Sequence, residues 1–424
     1  MNVELKPHQK EGLKYILEHK RSGLYLATGG GKSLTSLVYL KILDCPAMVI
    51  VPGYLKKVWY EENEKFGLGL DLKFDYNQRG KIFVVSYDWL KNYPEIIDEY
   101  DTVVLDEVLS VSNTNTVRFK QLAKRLRQKD RLVILAGYPT ENNLIEVYVA
   151  SLITDELGSD YYQFLYRYFD VIRKGNRIVR CTPKKGAFAK IMAILRKYVF
   201  LVDKQTILPN IRHDILVVRY ELSDYQIDML ERLRGSGYYL DNDVELRCES
   251  PLVLIQKAMQ IISGFVYVNE PDDVNPFHVE LGIVDKKVKS KPIPVFFKDN
   301  PKLDKAKEIV RDKMNYLSWY FYDAEESMVS SFTHYTSRMC KLQHCRGLNL
   351  QSYDFSLYYS VPLSGGMFLQ SADRLYRLGR DRDVISVLLL PHGEFGAWLY
   401  NLVQRKQKLT KRVINSLLNK SFHK

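Results

Sequence analysis

Short apolar runs that alternate with amphipathic stretches constrain the fold of this chain most strongly. Between Gly23 and Leu135 the runs are GLYLA, AMVIV, KIFVV, TVVLD and RLVIL. Each run is continuous rather than alternating, as is typical of strands that are buried on both faces. The pattern predicts an α/β fold in which crossover helices cover a parallel sheet. Because ligands bind at the carboxyl ends of such strands, the residues that follow each run are the first candidates for function.

A glycine-rich segment follows the first apolar run. It consists of Thr28, Gly29, Gly30, Gly31, Lys32 and Ser33. Glycines allow backbone N–H groups to curl around phosphates, and the N-terminus of the following helix adds positive potential. We predict that the segment binds a nucleotide, with Lys32 on the β- and γ-phosphates and Ser33 on Mg²⁺. Leu26 stands where the usual phosphate-loop pattern has its first glycine, so a glycine-rich turn without a ligand is the alternative.

Two neighbouring carboxylates, Asp106 and Glu107, follow the apolar run TVVL. Leaving both charged at the end of a buried strand is costly unless a cation neutralises them. We therefore predict that Asp106 is a second Mg²⁺ ligand and that Glu107 polarises a water molecule. An Asp-Glu pair alone proves little, and the prediction depends on its position downstream of the glycine-rich segment.

A third set of polar residues lies near the C-terminus, in the segment MFLQSADRLYRLGR. Gln370, Arg374 and Arg377 recur there at helical spacing on one face. Planar guanidinium groups match phosphate oxygens, so we predict that these residues act on the γ-phosphate of a nucleotide held by the first half of the chain. A solvated helix with two arginines is the alternative. In the preceding string GLNLQ we assign Gly347 to nucleotide binding and Asn349 to nucleic-acid binding.

Five strings occur in an order that resembles the Swi/Snf-type branch of helicase superfamily 2: LKPHQ, VIVPGYLKKVWYEENEKF, VVSYDWL, VVLDEV and ILAGYPTENNLIEVY. The resemblance implies two RecA-like parallel-sheet lobes of the tandem P-loop NTPase type, with ATP and Mg²⁺ between them. It implies that Gln9 contacts adenine and that the segment 137–140 couples ATP to movement. It also implies nucleic-acid contacts by Pro52, Lys56, Lys57, Ser86 and Tyr87. Val108 and Leu109 depart from the usual Asp-Glu-Ala-His, which puts the coupling by histidine in doubt.

The strand–helix alternation stops between residues 150 and 300, where helical patterns predict a mainly helical insertion. We predict an ATP-binding lobe at 1–203 with a protrusion at about 150–200, a helical linker at 204–300, and a shortened second lobe at 301–424 with a C-terminal bracing helix. A basic, aromatic stretch at 285–299 could touch DNA at a junction, and a solvated loop is equally compatible with it.

The net charge of +12, from 62 Lys and Arg against 50 Asp and Glu, predicts attraction to a polyanion such as nucleic acid. No apolar run is long enough for a membrane span, and the start of the chain lacks the apolar stretch of a secretory signal. Five scattered cysteines are typical of reduced thiols. We therefore expect a cytoplasmic protein without a membrane partner, in a bacterial host if the gene is from a phage.

These features predict an ATP-dependent DNA helicase or translocase that unwinds or branch-migrates forked or branched DNA. The short second lobe resembles that of compact tailed-phage helicases, and we expect a monomer with replication or recombination proteins as candidate partners. Three alternatives remain open at this point. They are a double-stranded DNA translocase without strand separation, a nucleic-acid-binding scaffold that has lost its ATPase, and an RNA substrate in place of DNA.

Overall fold

The structure is a computed structural model. It describes residues 3–74, 81–111, 117–158, 160–175, 177–241, 244–268, 292–345, 348–377 and 380–418. These residues form two α/β lobes, each built around its own parallel sheet, with hairpins and helices between them. The predicted α/β class with two parallel-sheet lobes is confirmed.

The helices of the described residues cover both lobes and the segment between them. The α-helices are α1 (Pro7–Glu18), α2 (Lys32–Leu43), α3 (Lys56–Lys65), α4 (Tyr87–Leu90), α5 (Val117–Leu126), α6 (Tyr161–Tyr168), α7 (Ala187–Tyr198), α8 (Lys204–Ile207), α9 (Asp224–Ser236), α10 (Pro251–Ile261), α11 (Pro301–Val310), α12 (Ala324–Ser330), α13 (Gly365–Leu375) and α14 (Gly393–Leu418). Shorter 3-10 turns span Gly53–Leu55, Pro94–Glu99, Val108–Val111, Leu144–Leu152, Asp155–Leu157 and Leu342–His344. None of the helices described is long and apolar enough to cross a membrane.

The strands of the described residues divide between the two sheets and three hairpins. They are β1 (Arg21–Leu26), β2 (Ala47–Val51), β3 (Leu72–Lys73), β4 (Ile82–Ser86), β5 (Thr102–Leu105), β6 (Arg131–Ala136), β7 (Phe169–Lys174), β8 (Arg177–Pro183), β9 (Val199–Val202), β10 (His213–Tyr220), β11 (Tyr238–Asp241), β12 (Val244–Arg247), β13 (Phe265–Val268), β14 (Ile293–Phe296), β15 (Leu317–Tyr320), β16 (Arg338–Lys341), β17 (Phe355–Tyr358) and β18 (Val384–Pro391).

The first sheet has the strand order β3-β4-β2-β5-β6-β1-β9, and every pairing in it is parallel. Strands β1, β2, β5 and β6 are buried almost throughout, as their continuous apolar runs predict. Strands β5, β6 and β1 are neighbours, so their carboxyl ends meet at one edge of the sheet. That edge carries the acidic pair, the segment 137–140 and the glycine-rich segment side by side.

The second sheet has the strand order β10-β18-β17-β15-β16 and is also parallel in every pairing. Its edge strand β10 comes from the segment for which the sequence predicts a linker. It pairs with β18 along its whole length, from His213 to Tyr220. The division of the chain at residues 203 and 300 stays a prediction, but part of the middle segment belongs to the second sheet.

The middle of the chain differs from the mainly helical insertion that the sequence predicts. Helices α6, α7, α9 and α10 are present, but three antiparallel hairpins, β7–β8, β11–β12 and β13–β14, accompany them in the described residues. Their strands are short and partly exposed, so strong helical patterns on either side obscure them in the sequence. The hairpin β13–β14 includes Phe296 of the basic, aromatic stretch, whereas residues 285–291 of that stretch lie outside the described residues.

Helix α14 is continuous and packs against both lobes. Leu399 and Val403 are buried in the core of the second lobe. Val413, further along the same helix, is buried in the core of the first lobe. Between them Thr410 Oγ1 donates a hydrogen bond to the carbonyl of Thr140, at the rim of the first sheet. The helix therefore links the two cores directly.

Candidate nucleotide site between the lobes

The glycine-rich loop between β1 and α2 needs glycine at two positions. Gly29 has φ +83° and Gly31 has φ +82°, a region that strains other residues. A Cβ on Gly31 would lie only 1.9 Å from Nε2 of Gln9. Leu26, at the position of the missing first glycine, is the fully buried last residue of β1. The loop therefore begins after Leu26 and ends at a helix N-terminus, the arrangement that binds phosphates in other proteins.

Side chains from two helices surround this loop. Nε2 of Gln9, on α1, donates to the carbonyl of Gly30 at 3.3 Å, and its Oε1 accepts from the N–H of Lys6 at 2.8 Å. Lys32 opens α2 and is buried, with its ammonium 3.2 Å from the carbonyl of Leu26. Ser33 is half-buried beside it. The structure thus brings Gln9, Lys32 and Ser33 to one loop.

Asp106 is a buried carboxylate at the end of β5, and both of its oxygens accept hydrogen bonds. Trp59 Nε1 donates to one oxygen at 3.0 Å, and the backbone N–H of Glu107 donates to the other at 2.9 Å. Burial, reinforced by the charge of Glu107 and opposed by that of Lys32, raises the pKa of Asp106 to about 6. When Asp106 is ionised, the charge of Lys32 balances its negative charge only in part, which fits a divalent cation at this position.

Glu107 itself has φ 47°, a left-handed conformation that residues other than glycine rarely adopt. Strained backbone of this kind concentrates at functional sites, because the surrounding fold must hold it in place. Glu107 follows Asp106 at the edge of the sheet, where a carboxylate can reach a water molecule.

Glu62, which the sequence analysis missed, is a further carboxylate near this site. Burial, reinforced by the charge of Asp106 and opposed by those of Lys65, Arg377 and Lys32, raises its pKa to about 7. Its Oε2 is buried without a hydrogen-bond partner among the described residues. The signal in the sequence is its place on α3, three residues after Trp59, which bonds to Asp106.

Arg374, in α13, and Arg377, two residues after its last residue Leu375, reach across from the second lobe, so the predicted helical spacing does not extend to Arg377. Arg377 lies against the glycine loop, since a Cβ on Gly29 would be 3.3 Å from its Nε. Burial, reinforced by the charge of Arg374, lowers the pKa of Arg377. Arg374 is buried, and its Nε has no hydrogen-bond partner among the described residues. Two guanidinium groups that repel each other beside a phosphate-type loop fit an anion between the lobes.

Other predicted site residues of the second lobe lie differently. Gln370 donates from Nε2 to Oε1 of Glu141 in the first lobe at 2.8 Å. It therefore makes a contact between lobes, where the sequence predicts a contact with the γ-phosphate. Asn349 is exposed. Gly347, predicted to bind the nucleotide, lies outside the described residues.

A buried contact that the sequence analysis missed joins the lobes next to the loop. Tyr138 donates from its hydroxyl to Oδ2 of Asp373 at 2.5 Å. Lys204 Nζ lies 3.3 Å from Oδ1 of the same carboxylate and donates to the carbonyl of Thr28 at 2.6 Å. Burial lowers the pKa of Lys204 to about 8 against the opposing charge of Asp373. The only hint in the sequence is that Asp373 precedes Arg374.

Most residues predicted to contact nucleic acid share another part of the same edge. Pro52 follows β2 and Ser86 ends β4, and Val51 pairs with Ser86 in the sheet. Lys57 is exposed, whereas Lys56 donates to the carbonyl of Phe74 at 3.1 Å. Pro52 and Ser86 thus end neighbouring strands, and the two lysines begin the helix after β2.

Tyr87 differs from the expectation of a surface contact. Its side chain is 2% exposed, and its hydroxyl donates to the backbone carbonyl of Asp106 at 2.9 Å. The ring packs in the core of the first lobe. Tyr87 therefore lies inside the first lobe, where it bonds to the backbone of Asp106, and it does not face the edge where nucleic acid is predicted to bind.

A cavity of about 580 Å³ opens between the lobes on this edge. From the first lobe it is lined by Tyr54, Leu109, Ser110, Glu141 and Asn142, and from the second by Leu342, Gln343, His344, Cys345, Ser364, Met367 and Gln370. Tyr54 lies two residues after Pro52, so the cavity adjoins the predicted nucleic-acid contacts.

Proteins with related sequences are ATP-dependent helicases and translocases by name. No protein-family model matches the chain. It is 21% identical over 473 residues to a putative ATP-dependent helicase/translocase of Bacillus subtilis, across 97% of this chain and 49% of that protein. It is 20% identical over 449 residues to a SWI/SNF-related regulator of chromatin, subfamily A-like protein 1, of Xenopus tropicalis, across 96% and 45%. The chain is similar to SWI/SNF-related helicases and translocases.

Two further similarities complete this picture. A putative ATP-dependent RNA helicase of Acanthamoeba polyphaga mimivirus is 21% identical over 288 residues, across 68% of this chain and 56% of that protein. The SWI2/SNF2 ATPase core of Sulfolobus solfataricus, solved in complex with double-stranded DNA, aligns over 98% of this chain and 94% of that chain, with 18% identity and a TM-score of 0.44. The chain spans about half the length of the curated relatives that it matches along most of its own sequence.

Proposed function

We propose that this chain is an ATP-dependent DNA translocase in which ATP binds between the two lobes. One observation carries the proposal: Arg377 of the second lobe lies against the glycine loop of the first, beside the buried and incompletely bonded Arg374. The first lobe supplies the glycine loop and the second supplies the arginines, so the complete site needs both lobes. Hydrolysis is then linked to the relative position of the lobes, which is how a motor converts chemistry into movement.

Each side chain has a distinct role in this proposal. Lys32 and the loop N–H groups bind the phosphates. Ser33 and Asp106 hold Mg²⁺, which neutralises phosphate charge when bound. Glu107 orients the attacking water, and Arg374 and Arg377 stabilise the charge that develops on the γ-phosphate. In this proposal Gln9, which bonds to the carbonyl of Gly30 in the same loop, contacts adenine.

DNA is the proposed track. The supporting features are the net charge of +12, the rim formed by Pro52, Ser86 and the exposed Lys57, and the adjoining cavity between the lobes. We further propose that translocation unwinds or branch-migrates forked or branched DNA in recombination or repair, because one relative, 27% identical over 186 residues, is a DNA repair and recombination protein of Gallus gallus. RNA is a second candidate substrate, since another relative is named as an RNA helicase.

Stimulation of ATP hydrolysis by different nucleic acids tests this function. Single-stranded, duplex, forked and four-way DNA are compared with RNA for the wild type, for Lys32→Ala and for the control Lys81→Ala, an exposed lysine paired with Asp44. Hydrolysis stimulated by DNA in the wild type and control, with a loss of about 100-fold or more in Lys32→Ala, supports the proposal. Hydrolysis that survives in Lys32→Ala contradicts it, and a wild type inactive on every substrate favours a binding scaffold.

A strand-separation assay tests the finer proposal. A labelled forked duplex and a blunt duplex of the same sequence are incubated with protein and ATP. Release of a strand from the fork supports unwinding. If a second protein bound to either duplex is displaced without release of a strand, the result supports translocation alone.

A further inference from the structure

A buried ion pair stands where three parts of the nucleotide site meet. Lys204 is the first residue of α8, in the segment that leads from β9 of the first lobe to β10 of the second. Asp373 precedes Arg374 on α13. The side chains of this pair are 13% and 7% exposed, so water screens them little.

We infer that Lys204 and Asp373 are positioning residues that hold Arg374 and Arg377 against the glycine loop and tie the arginines and the loop to the segment between the lobes. The inference rests on the proposed ATP hydrolysis and adds the residues that make its two half-sites act together.

The hydrogen bonds of Asp373 leave it little freedom. One carboxylate oxygen accepts from Tyr138, in the segment 137–140 at the end of β6, and the other faces the ammonium of Lys204. The same ammonium donates to the carbonyl of Thr28, the first residue of the glycine loop. A displacement of α13 therefore acts on the loop through two short contacts.

Tyr376, which directly follows the last residue of α13, holds the other side of the segment between the lobes. The hydroxyl of Tyr376 donates to the carbonyls of Leu208 at 3.3 Å and Ile211 at 3.0 Å. The ammonium of Lys204 lies 5.2 Å from the centre of the Tyr376 ring. Opening the lobes must break these contacts or carry the segment along, so the segment follows the position of the arginines.

A contribution to stability alone does not explain this arrangement. Buried ion pairs contribute little net stability compared with apolar residues of similar volume, because both charges lose their hydration. The contacts instead span the glycine loop, the segment 137–140, the connecting segment and α13, which are the parts that must move together during turnover.

The second lobe contains a matched control, Lys302. It is also buried, burial also lowers its pKa to about 8, and it donates to Ser263 Oγ at 2.8 Å. Its ammonium lies 4.6 Å from the centre of the Tyr359 ring. Replacing Lys302 therefore removes an equally buried ammonium whose contacts, in the part of the chain that the structure describes, lie away from the nucleotide site.

Steady-state ATP hydrolysis at saturating DNA tests the inference. Lys204→Met, Asp373→Asn, the double variant, the conservative Lys204→Arg and the control Lys302→Met are compared for kcat and for KM of ATP. Each single change at the pair is expected to lower kcat by about tenfold to 100-fold, because misplaced catalytic groups cost that much. We expect KM for ATP to change by less than about threefold, since the phosphate loop is intact.

Two further results separate positioning from folding. The double variant is expected to be no slower than the worse single variant, because both changes break the same ion pair. Lys204→Arg, which keeps the charge, is expected to recover part of kcat, and folded Lys302→Met to stay within about twofold of the wild type.

Several outcomes overturn the inference. Additive losses, a loss shared by Lys302→Met, or an unchanged kcat in Lys204→Met each contradict it while leaving the proposed function standing. A wild type without ATP hydrolysis overturns both. If Lys204→Met does not fold, the comparison of Asp373→Asn with Lys302→Met decides, since the asparagine keeps the size of the side chain while it removes the charge and one acceptor.

Discussion

Several side chains around the nucleotide site carry a charge or a polar atom that the neighbouring groups only partly neutralise or bond. Asp106 and Glu62 have raised pKa values, and the guanidinium of Arg374 has a buried donor without a partner among the described residues. Buried groups of this kind cost free energy unless something pairs with them. Their concentration on facing sides of one cleft is what an ATP–Mg²⁺ site requires, and it gives two predictions about individual residues.

The first prediction concerns Asp106 and pH. Its folded pKa of about 6 lies above the usual 3.8, so in the absence of metal this group lowers stability progressively as pH rises from about 4 to 6. Above that range the ionised carboxylate is free to bind a cation. We expect Mg²⁺–ADP to raise the unfolding temperature more at about pH 8 than at about pH 5. Asp106→Asn should reduce this pH dependence, and an equal shift at both pH values in the wild type would contradict the role of Asp106.

The second prediction concerns Arg374. Replacement by methionine removes a buried charge beside Arg377 and keeps most of the side-chain volume. Without nucleotide, the free energy of unfolding is expected to rise by about 1 kcal/mol while ATP hydrolysis falls by about 100-fold. The control Arg382→Met, at an exposed arginine paired with Asp354, should change the free energy of unfolding by less than about 0.5 kcal/mol. Chemical denaturation measures the first quantity, and a large loss of stability in Arg374→Met would count against a ligand-dependent role.

Helices and strands differ in how far the sequence determines them. The parallel strands β1, β2, β5 and β6 could be predicted because burial on both faces makes them continuously apolar. Strand β10 could not, since its residues are mostly half-exposed and its partner β18 comes from the far end of the chain. The hairpin β7–β8 escaped prediction for a similar reason, because its strands are mostly exposed and only a few of their apolar residues pack against the core.

Helix α14 gives a prediction at this level, because it enters both cores. Val413→Asp places a charge in the core of the first lobe, and we expect the free energy of unfolding to fall by about 2 kcal/mol or more. Trypsin should then cleave the end of the helix near Lys408 and Lys411 faster than in the wild type. The control is Asn401→Asp, on the exposed face of the same helix. Equal cleavage rates in the two variants would mean that the helix does not depend on the first lobe.

The molecule as a whole places the two halves of its candidate site on different lobes. The sequence could predict each half, because strand ends identify Lys32 and Asp106, and the spacing of polar residues near the C-terminus identifies Arg374 and Arg377. It could not predict the pair Lys204 and Asp373, since their contact depends on how the lobes are arranged and not on any local pattern. Gln370 shows the same limit, because its partner Glu141 belongs to the other lobe.

A structure of the protein with DNA, Mg²⁺, ADP and aluminium fluoride decides whether this shared site exists. The aluminium fluoride group occupies the place that the γ-phosphate has during hydrolysis. We predict that it contacts Lys32 from the first lobe and at least one of Arg374 and Arg377 from the second, with Lys204 and Asp373 still paired. An aluminium fluoride group that contacts the first lobe alone, with both arginines turned away from it, would contradict a nucleotide site that the two lobes complete together.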